Sequence, residues 1–249
     1  LLHHAEHGLV PARVLFISRD SCALACERGD LTGVLAGKFH AGEKPFPVVG
    51  DWVLARDTGG TVALVQDIVP RRNALSRKTP GTTSSEQVMA ANLDVMFVVQ
   101  DVLRMNLPLL ERYLALAGGS GILPLVVLNK CDLADGAEAF AREVSSRIPG
   151  ARVVLLSALT GNGFDEASCF LAPGKTACLL GPSGAGKSSI VNRLLGEERQ
   201  AVAEVRGDDL KGRHTTTARE LLFLPGGAMI IDTCLLYTSP SPRDRTRSR

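Results

Sequence analysis

Aromatic residues are scarce in this chain: they make up 4% of its 249 residues, with a single Trp. A broad base-stacking surface of Phe, Tyr and Trp is therefore excluded, and Trp52 is expected in the core. Long apolar runs are lacking too. No stretch reaches the roughly 20 apolar residues that a bilayer crossing needs, so no membrane partner is expected. The opening residues Leu1, Leu2, His3 and His4 show no basic region followed by an apolar one, and no signal peptide is read there. The first residue is not Met, as in a fragment. His3, His4 and His7 lie in a terminus expected to fray, where no metal role is assigned. Nor is there an excess of one charge: 28 Lys plus Arg face 26 Asp plus Glu. Any nucleic-acid contact must then come from a local patch. No Cys-x-x-Cys pair occurs. Cys22, Cys26, Cys131, Cys169, Cys178 and Cys234 are scattered, and they read as small buried hydrophobes in a reducing, cytoplasmic compartment.

What is present is an ordinary globular composition, 45% hydrophobic and 22% charged, long enough for one large domain or two modest ones. Residues 13–78 read as short strands: Arg13–Ser18, Ser21–Cys26, Leu31–Leu35, Asp51–Arg56 and Thr61–Val69. The last two are joined by the turn residues Asp57-Thr58-Gly59-Gly60. No helical period appears there. Residues 1–90 are accordingly assigned to a small OB-like β-barrel. Near Leu93 the pattern changes to alternating strands and helices. Strands are expected at Val95–Val99, Leu125–Leu128, Val153–Leu156, Thr176–Leu180 and Met229–Asp232. Helices are expected at Leu107–Ala117, Glu138–Ile148 and from Ser188 to Leu195. This alternation implies a parallel sheet with helices on both faces, over residues 91–233. Residues 234–249 are rich in Ser, Pro and Arg without periodicity, and read as a disordered, foreign tail.

The chemistry is concentrated in a few loops. Gly181-Pro182-Ser183-Gly184-Ala185-Gly186-Lys187-Ser188 has the Gly-x-x-x-x-Gly-Lys-Ser form of a phosphate-binding loop, and Ser189 follows it. Glycines let the backbone close around phosphate, and the next helix offers its positive end to the same anion. Lys187 is expected to reach the terminal phosphates and to assist catalysis there; the Ser188 hydroxyl is expected to bind Mg²⁺. Base choice falls to Asn129-Lys130-Cys131-Asp132, at the end of an apolar strand. A carboxylate only accepts, so Asp132 suits the adjacent ring N–H and amino group of guanine and leaves adenine unmatched. The Lys130 stem covers the base face. Ser157-Ala158, after the next strand, places the Ala158 amide toward the guanine carbonyl oxygen. Downstream, Gly212-Arg213-His214-Thr215-Thr216-Thr217 reads as a switch loop. Thr216 is the chosen Mg²⁺ ligand, with Thr215 and Thr217 left open. Asp232 supplies a second Mg²⁺ contact. Arg71, Arg72, Arg77 and Lys78 form a basic cluster that could grip RNA phosphates or be a solvated charged face.

The two base-reading motifs precede the phosphate-binding ones, the reverse of the usual GTPase order. A small barrel followed by this permuted set resembles the RsgA (YjeQ) family of small-ribosomal-subunit biogenesis GTPases. The matching segments include Val49 to Val53, Pro70-Arg71-Arg72, Ala91 to Asp94, Leu128-Asn129-Lys130, Gly181 to Ser189 and Gly212 to Thr217. The resemblance implies an OB-fold that contacts ribosomal RNA and a circularly permuted P-loop GTPase domain. It implies GTP hydrolysis to GDP stimulated by the small subunit, Mg²⁺ as cofactor, and a C-terminal zinc domain. In the family a hydrophobic residue replaces the usual water-orienting Gln, which makes His214 a candidate to position the attacking water. The sequence departs from the family where Asp-Thr-Pro-Gly would stand: it reads Asp232-Thr233-Cys234-Leu235, and no zinc-ligand cluster follows. A monomer is expected. Two alternatives stand beside a GTPase: a GTP-binding RNA module that does not hydrolyse, and a guanylate-kinase-like phosphotransferase.

Overall fold

The structure is a computed structural model that describes residues 8–19, 21–78, 86–196 and 219–232. Its first part is a closed barrel of five strands: β1 (Leu9–Ile17), β2 (Ser21–Cys26), β3 (Gly29–Leu35), β4 (Trp52–Asp57) and β5 (Val62–Ile68). They run in the order β1-β2-β3-β5-β4, and β4 returns to pair with β1. Neighbours are antiparallel except β3 and β5, which are parallel. Alternation explains the closure: in β3, Leu31, Gly33 and Leu35 point inward while Thr32 and Val34 stay exposed. The interior is filled by Ala12, Val14, Leu24, Val53, Ala55 and Val65. A single helical turn, α1 (Gly37–His40), which the sequence reading missed, plugs it with the buried Phe39. The OB-like expectation is met in strand number, order and closure.

Next comes an antiparallel ribbon, β6 (Ala74–Lys78) and β7 (Glu86–Ala91). The second part then alternates: β8 (Val95–Asp101), α2 (Leu107–Gly119), β9 (Leu123–Asn129), α3 (Ala137–Arg147), β10 (Arg152–Leu156), α4 (Phe164–Ser168), β11 (Thr176–Leu180), α5 (Lys187–Leu195), β12 (Glu220–Phe223) and β13 (Met229–Asp232). The sheet order is β10-β9-β8-β11-β13-β12. The first five of these are parallel, and β12 is antiparallel to β13. β8 is buried along its whole length, as a central strand covered on both faces must be. Its alternate residues serve two cores. Met96 and Val98 pack with Leu110, Tyr113 and Val144 of α2 and α3. Val95, Phe97 and Val99 pack with Ala167, Ile190 and Val191 of α4 and α5. Helices on both faces were expected; the antiparallel edge strand β12 was not.

β12 also touches β1 through Phe16↔Glu220, so one sheet of eleven strands runs through both parts. The joint between them is polar and buried. Arg13 of β1 is 5% exposed and donates to Asn92 O (3.3 Å) and to Thr176 Oγ1 (3.1 Å) at the start of β11. Burial lowers the Arg13 guanidinium to about 10, so it remains charged at neutral pH. Asn92, held at φ +57°, donates to Gly50 O (3.0 Å) and accepts from the Arg72 amide (2.9 Å). Gly50 has φ +86°, and a Cβ there would lie 2.4 Å from Ala91 O, so the approach requires glycine. The motif segments around Asp51, Arg71 and Asn92 therefore build this joint.

Three expectations change. Trp52 is 42% exposed rather than in the core; the Arg13 guanidinium carbon sits 5.2 Å from the centre of its ring. Its neighbours Val53 and Ala55 take the inward positions of β4. Among the described cysteines only Cys22 and Cys178 are buried; Cys26 and Cys131 are half-buried and Cys169 is exposed. The β6–β7 ribbon lies inside the segment assigned to the barrel, yet Leu75, Met89 and Ala90 pack with Leu93, Met96 and Leu110 of the second part.

Candidate functional site

Three loops leave the C-terminal ends of β9, β10 and β11, on one edge of the parallel sheet, where such sheets bind ligands. The loop after β11 begins at Gly181, whose Cβ position would fall 2.2 Å from Val99 O on β8. Only a residue without a side chain lets the loop leave so close to the neighbouring strand. Gly184 (φ +79°) and Gly186 (φ +91°) take left-handed conformations that fold the loop back to α5. Lys187 is buried, and its Nζ donates to Gly181 O and Pro182 O, both at 2.8 Å. Its ammonium thus lies inside the arch that the loop makes. Ser188 and Ser189 are exposed in the first turn of α5.

Asn129 is the last residue of β9 and is buried. Its Nδ2 donates to Ala185 O (2.8 Å), and its Oδ1 accepts from the Ala158 N–H (3.1 Å). One carboxamide therefore ties all three loops together. Gly186 is constrained by the same residue, since a Cβ there would meet Asn129 Nδ2 at 2.2 Å. Lys130 follows with φ +65°, and its ammonium pairs with Asp101 Oδ2 at 2.7 Å. Asp101 ends β8 and also accepts from the Leu103 N–H (3.0 Å). Burial is the largest single influence on its carboxyl and pushes upward; the bonds from Lys130 and Leu103 together outweigh it and hold the pKa below the usual value. Asp132 lies exposed in the short turn Cys131–Leu133. Burial, then the adjacent Asp132, raises the Cys131 thiol above its ordinary pKa. Ser157 is buried; its N–H donates to Asn162 O (3.0 Å) and its Oγ accepts from the Thr160 N–H (3.1 Å). The Ala158 amide, expected to face a guanine oxygen, is bonded to Asn129 here.

The structure adds residues that the motifs did not reveal. Arg193, in the last turn of α5, donates to the carbonyls of Ala158 (3.4 Å), Leu159 (3.1 Å) and Thr160 (3.2 Å). The only sequence signal for it is a basic residue in a helix's last turn, which is common. Asp101 carried a clearer one: like Asn129, it is a polar residue closing an apolar strand.

Other expected residues fall elsewhere. Arg71 turns inward: its Nε and Nη2 meet the two oxygens of the fully buried Asp51 at 2.7 and 2.8 Å, and Nη2 also reaches Phe46 O (3.1 Å). A phosphate grip by Arg71 is thereby corrected to a structural ion pair that answers a buried carboxylate. Arg72 is exposed and pairs with Asp94 at 3.0 Å. Arg77 is exposed on β6. Asp232 closes β13, beside β11. His214 and Thr216 lie outside the described residues. A cleft of about 670 Å³ opens far from the loops, between β1, β2 and the β12–β13 turn. It is lined by apolar groups such as Val10, Phe223 and Met229, so the site is located by its polar geometry and not by cavity size.

Residues 68–234 match the family described as RsgA GTPase. A "Small ribosomal subunit biogenesis GTPase RsgA" of Opitutus terrae is 45% identical over 245 residues, covering 92% of this chain and 66% of the relative. Its counterpart of the same name in Streptomyces coelicolor is 42% identical over 236 residues, covering 92% and 63%. The chain thus spans no more than about two thirds of these relatives' length. Among solved structures, YjeQ from Thermotoga maritima superposes with TM-score 0.69 at 25% identity, over 90% of this chain and 74% of that one. YloQ, described as a circularly permuted GTPase, gives TM-score 0.64 at 21% identity, over 93% and 73%. With the motif loops gathered at one sheet edge in this permuted order, and the family matched across most of the chain, this protein belongs to the RsgA GTPase family.

Proposed function

We propose that this chain binds GTP, with Gly181 to Ser189 around the phosphates and Asn129, Lys130, Asp132, Ser157 and Ala158 around the guanine. The observation that carries this reading is the Asn129 carboxamide, which bonds the phosphate loop at 2.8 Å and the Ala158 amide at 3.1 Å. Two recognition loops at a fixed spacing suit one ligand with an anionic end and a hydrogen-bonding ring. Ser188 stands in the first turn of α5 and Asp232 closes the strand beside β11. A hydroxyl and a carboxylate on one edge are hard oxygen donors of the kind Mg²⁺ takes, so they fit that ion, with Thr216 as a third ligand. Mg²⁺ would supply charge neutralisation between the phosphates. Lys187 would neutralise the same oxygens after leaving the Gly181 and Pro182 carbonyls, and His214 would position the attacking water.

The reading extends to hydrolysis of GTP to GDP and phosphate in late maturation of the small ribosomal subunit, in the cytoplasm, and is supported by relatives named small ribosomal subunit biogenesis GTPases. We assign the RNA contact to Arg72, Arg77 and Lys78 on the ribbon and its approach, and to the barrel. The barrel is better bounded near residue 70 than 90, because Leu75 and Met89 pack with the GTPase core. Residues 234–249 stand as an aberrant tail, and the chain is read as a monomer.

Titration with a fluorescent GDP, competed by GTP and ATP, tests the binding. GTP should displace it at least 10⁴-fold better than ATP, as for a site built on a bidentate hydrogen bond. Asp132→Asn should shift preference toward xanthine nucleotides; an unchanged GTP preference removes the base-reading role. A second reading, binding without hydrolysis, is favoured by Leu235 standing where the family has Gly. Phosphate release with and without small ribosomal subunits decides between the two.

A further inference from the structure

We infer that Arg193 is a positioning residue for guanine selection, acting by clamping the base-reading loop to the helix that follows the phosphate loop. The inference rests on the guanine reading proposed above. Its guanidinium spans three successive carbonyls, of Ala158 (3.4 Å), Leu159 (3.1 Å) and Thr160 (3.2 Å), from the last turn of α5. The same guanidinium lies over the Phe164 ring, 5.5 Å from its centre, at the start of α4. Arginine's planar fork suits this duty: several donors are fixed in one plane, so little freedom is lost for each bond made.

The loop's own backbone is shaped for that contact. Gly161 has φ +93°, and a Cβ on it would lie 2.2 Å from Arg193 Nη2 and 2.8 Å from the guanidinium carbon. Glycine there lets the cation lie flat against the loop. At the far end, Gly196 (φ +71°) ends α5 with its N–H on Arg193 O (3.2 Å), which fixes where the helix stops. The loop is otherwise held by Asn129 at the Ala158 amide and by its internal turn through Ser157. Asn129 thus holds the N–H of Ala158 and Arg193 holds the carbonyls of Ala158 and of the next two residues, so the backbone is pinned on both sides of the Ala158 Cα and the direction of its N–H depends on both. That N–H, bonded to Asn129 Oδ1 in this structure, is the group assigned to the guanine carbonyl oxygen, which would share or replace that bond, whereas Asp132, on a separate turn after β9, is assigned the ring N–H and amino group.

This separation yields a discriminating test on the full chain. Arg193→Ala should weaken fluorescent-GDP binding about tenfold, the worth of one charge-assisted hydrogen bond. Its preference for GTP over 6-thio-GTP, which alters only the carbonyl position, should fall by a similar factor. Its preference for GTP over ITP, which lacks the amino group, should stay at the parent value. Arg193→Lys, which keeps the charge but not the planar fork, should recover only part of the affinity. GDP affinity within twofold of the parent in Arg193→Ala would overturn the inference. So would equal loss of both preferences alongside a lowered melting temperature, the result of a merely structural role. If the parent chain itself bound ATP as well as GTP, the guanine reading would fall first, visibly separate from any effect of Arg193.

Discussion

Removing the Asn129 carboxamide would leave the buried Ala185 carbonyl and the half-buried Ala158 amide without their partner. Asn129→Ala should cost about 1–3 kcal/mol of stability, as for one buried polar group left unmatched, the Ala185 carbonyl, since the half-buried Ala158 amide can turn to water. Urea denaturation should show it, with nucleotide affinity lost in the same variant. Asp51 poses a related case. It is fully buried and held by a two-point contact from Arg71, so Asp51→Ala strands a cation and should cost about 3–5 kcal/mol. Acid sensitivity follows from two other carboxylates. Burial is the largest influence on Asp94 and Asp101 and raises both, but their hydrogen bonds to Thr176 or Leu103 and to nearby cations more than offset it. Both are therefore held below the ordinary value of about 3.9. A lowered folded pKa adds stability that is present above the unfolded value and lost as pH falls through the folded one. The urea midpoint should accordingly drop on acidification below about pH 4, and less steeply in Asp94→Asn, where Lys175 and Arg72 lose their shared partner.

At the scale of elements, the loop after β11 depends on a strand it does not belong to. Gly181→Ala would drive a methyl into Val99 O of β8, so the phosphate loop must shift and triphosphate affinity should fall at least tenfold. A calorimetric titration in which this variant matched the parent would refute that dependence. Most strands and helices were legible beforehand, because burial leaves a period behind. β2 and β11 match their expected bounds, and α2, α3 and α5 differ by a residue or two at their ends. What escaped lacked such a period. α1 is one turn long, α4 has five residues, and the β6–β7 ribbon reads as polar sequence whose few apolar residues are claimed by a distant core. β12 has only four residues. The site divided the same way. Asn129 and the glycines of the phosphate loop announce themselves by spacing, whereas Arg193 is legible only once α5 and the Ser157 loop are seen side by side. Arg71 misled because a basic residue beside other basic residues says nothing about a buried carboxylate twenty positions away.

For the whole molecule, β1 serves two masters. Ala12 and Val14 face the barrel interior while Leu15 and Ile17 pack on the GTPase core, and Arg13 reaches the first residue of β11. The two parts should therefore melt as one unit. Arg13→Ala should split the calorimetric transition in two, with only the later-sequence unit raised by added GDP. A single sharp transition in that variant would show that the remaining packing suffices. The contact of Phe16 with Glu220 brings together residues that lie far apart along the chain. Closing so wide a circuit is slow for a polypeptide, since the entropy of the intervening chain must be surrendered first. A nascent chain would complete its barrel early, while the guanine-side loops would wait, still unclamped, for the phosphate loop and α5 to emerge from the translating ribosome.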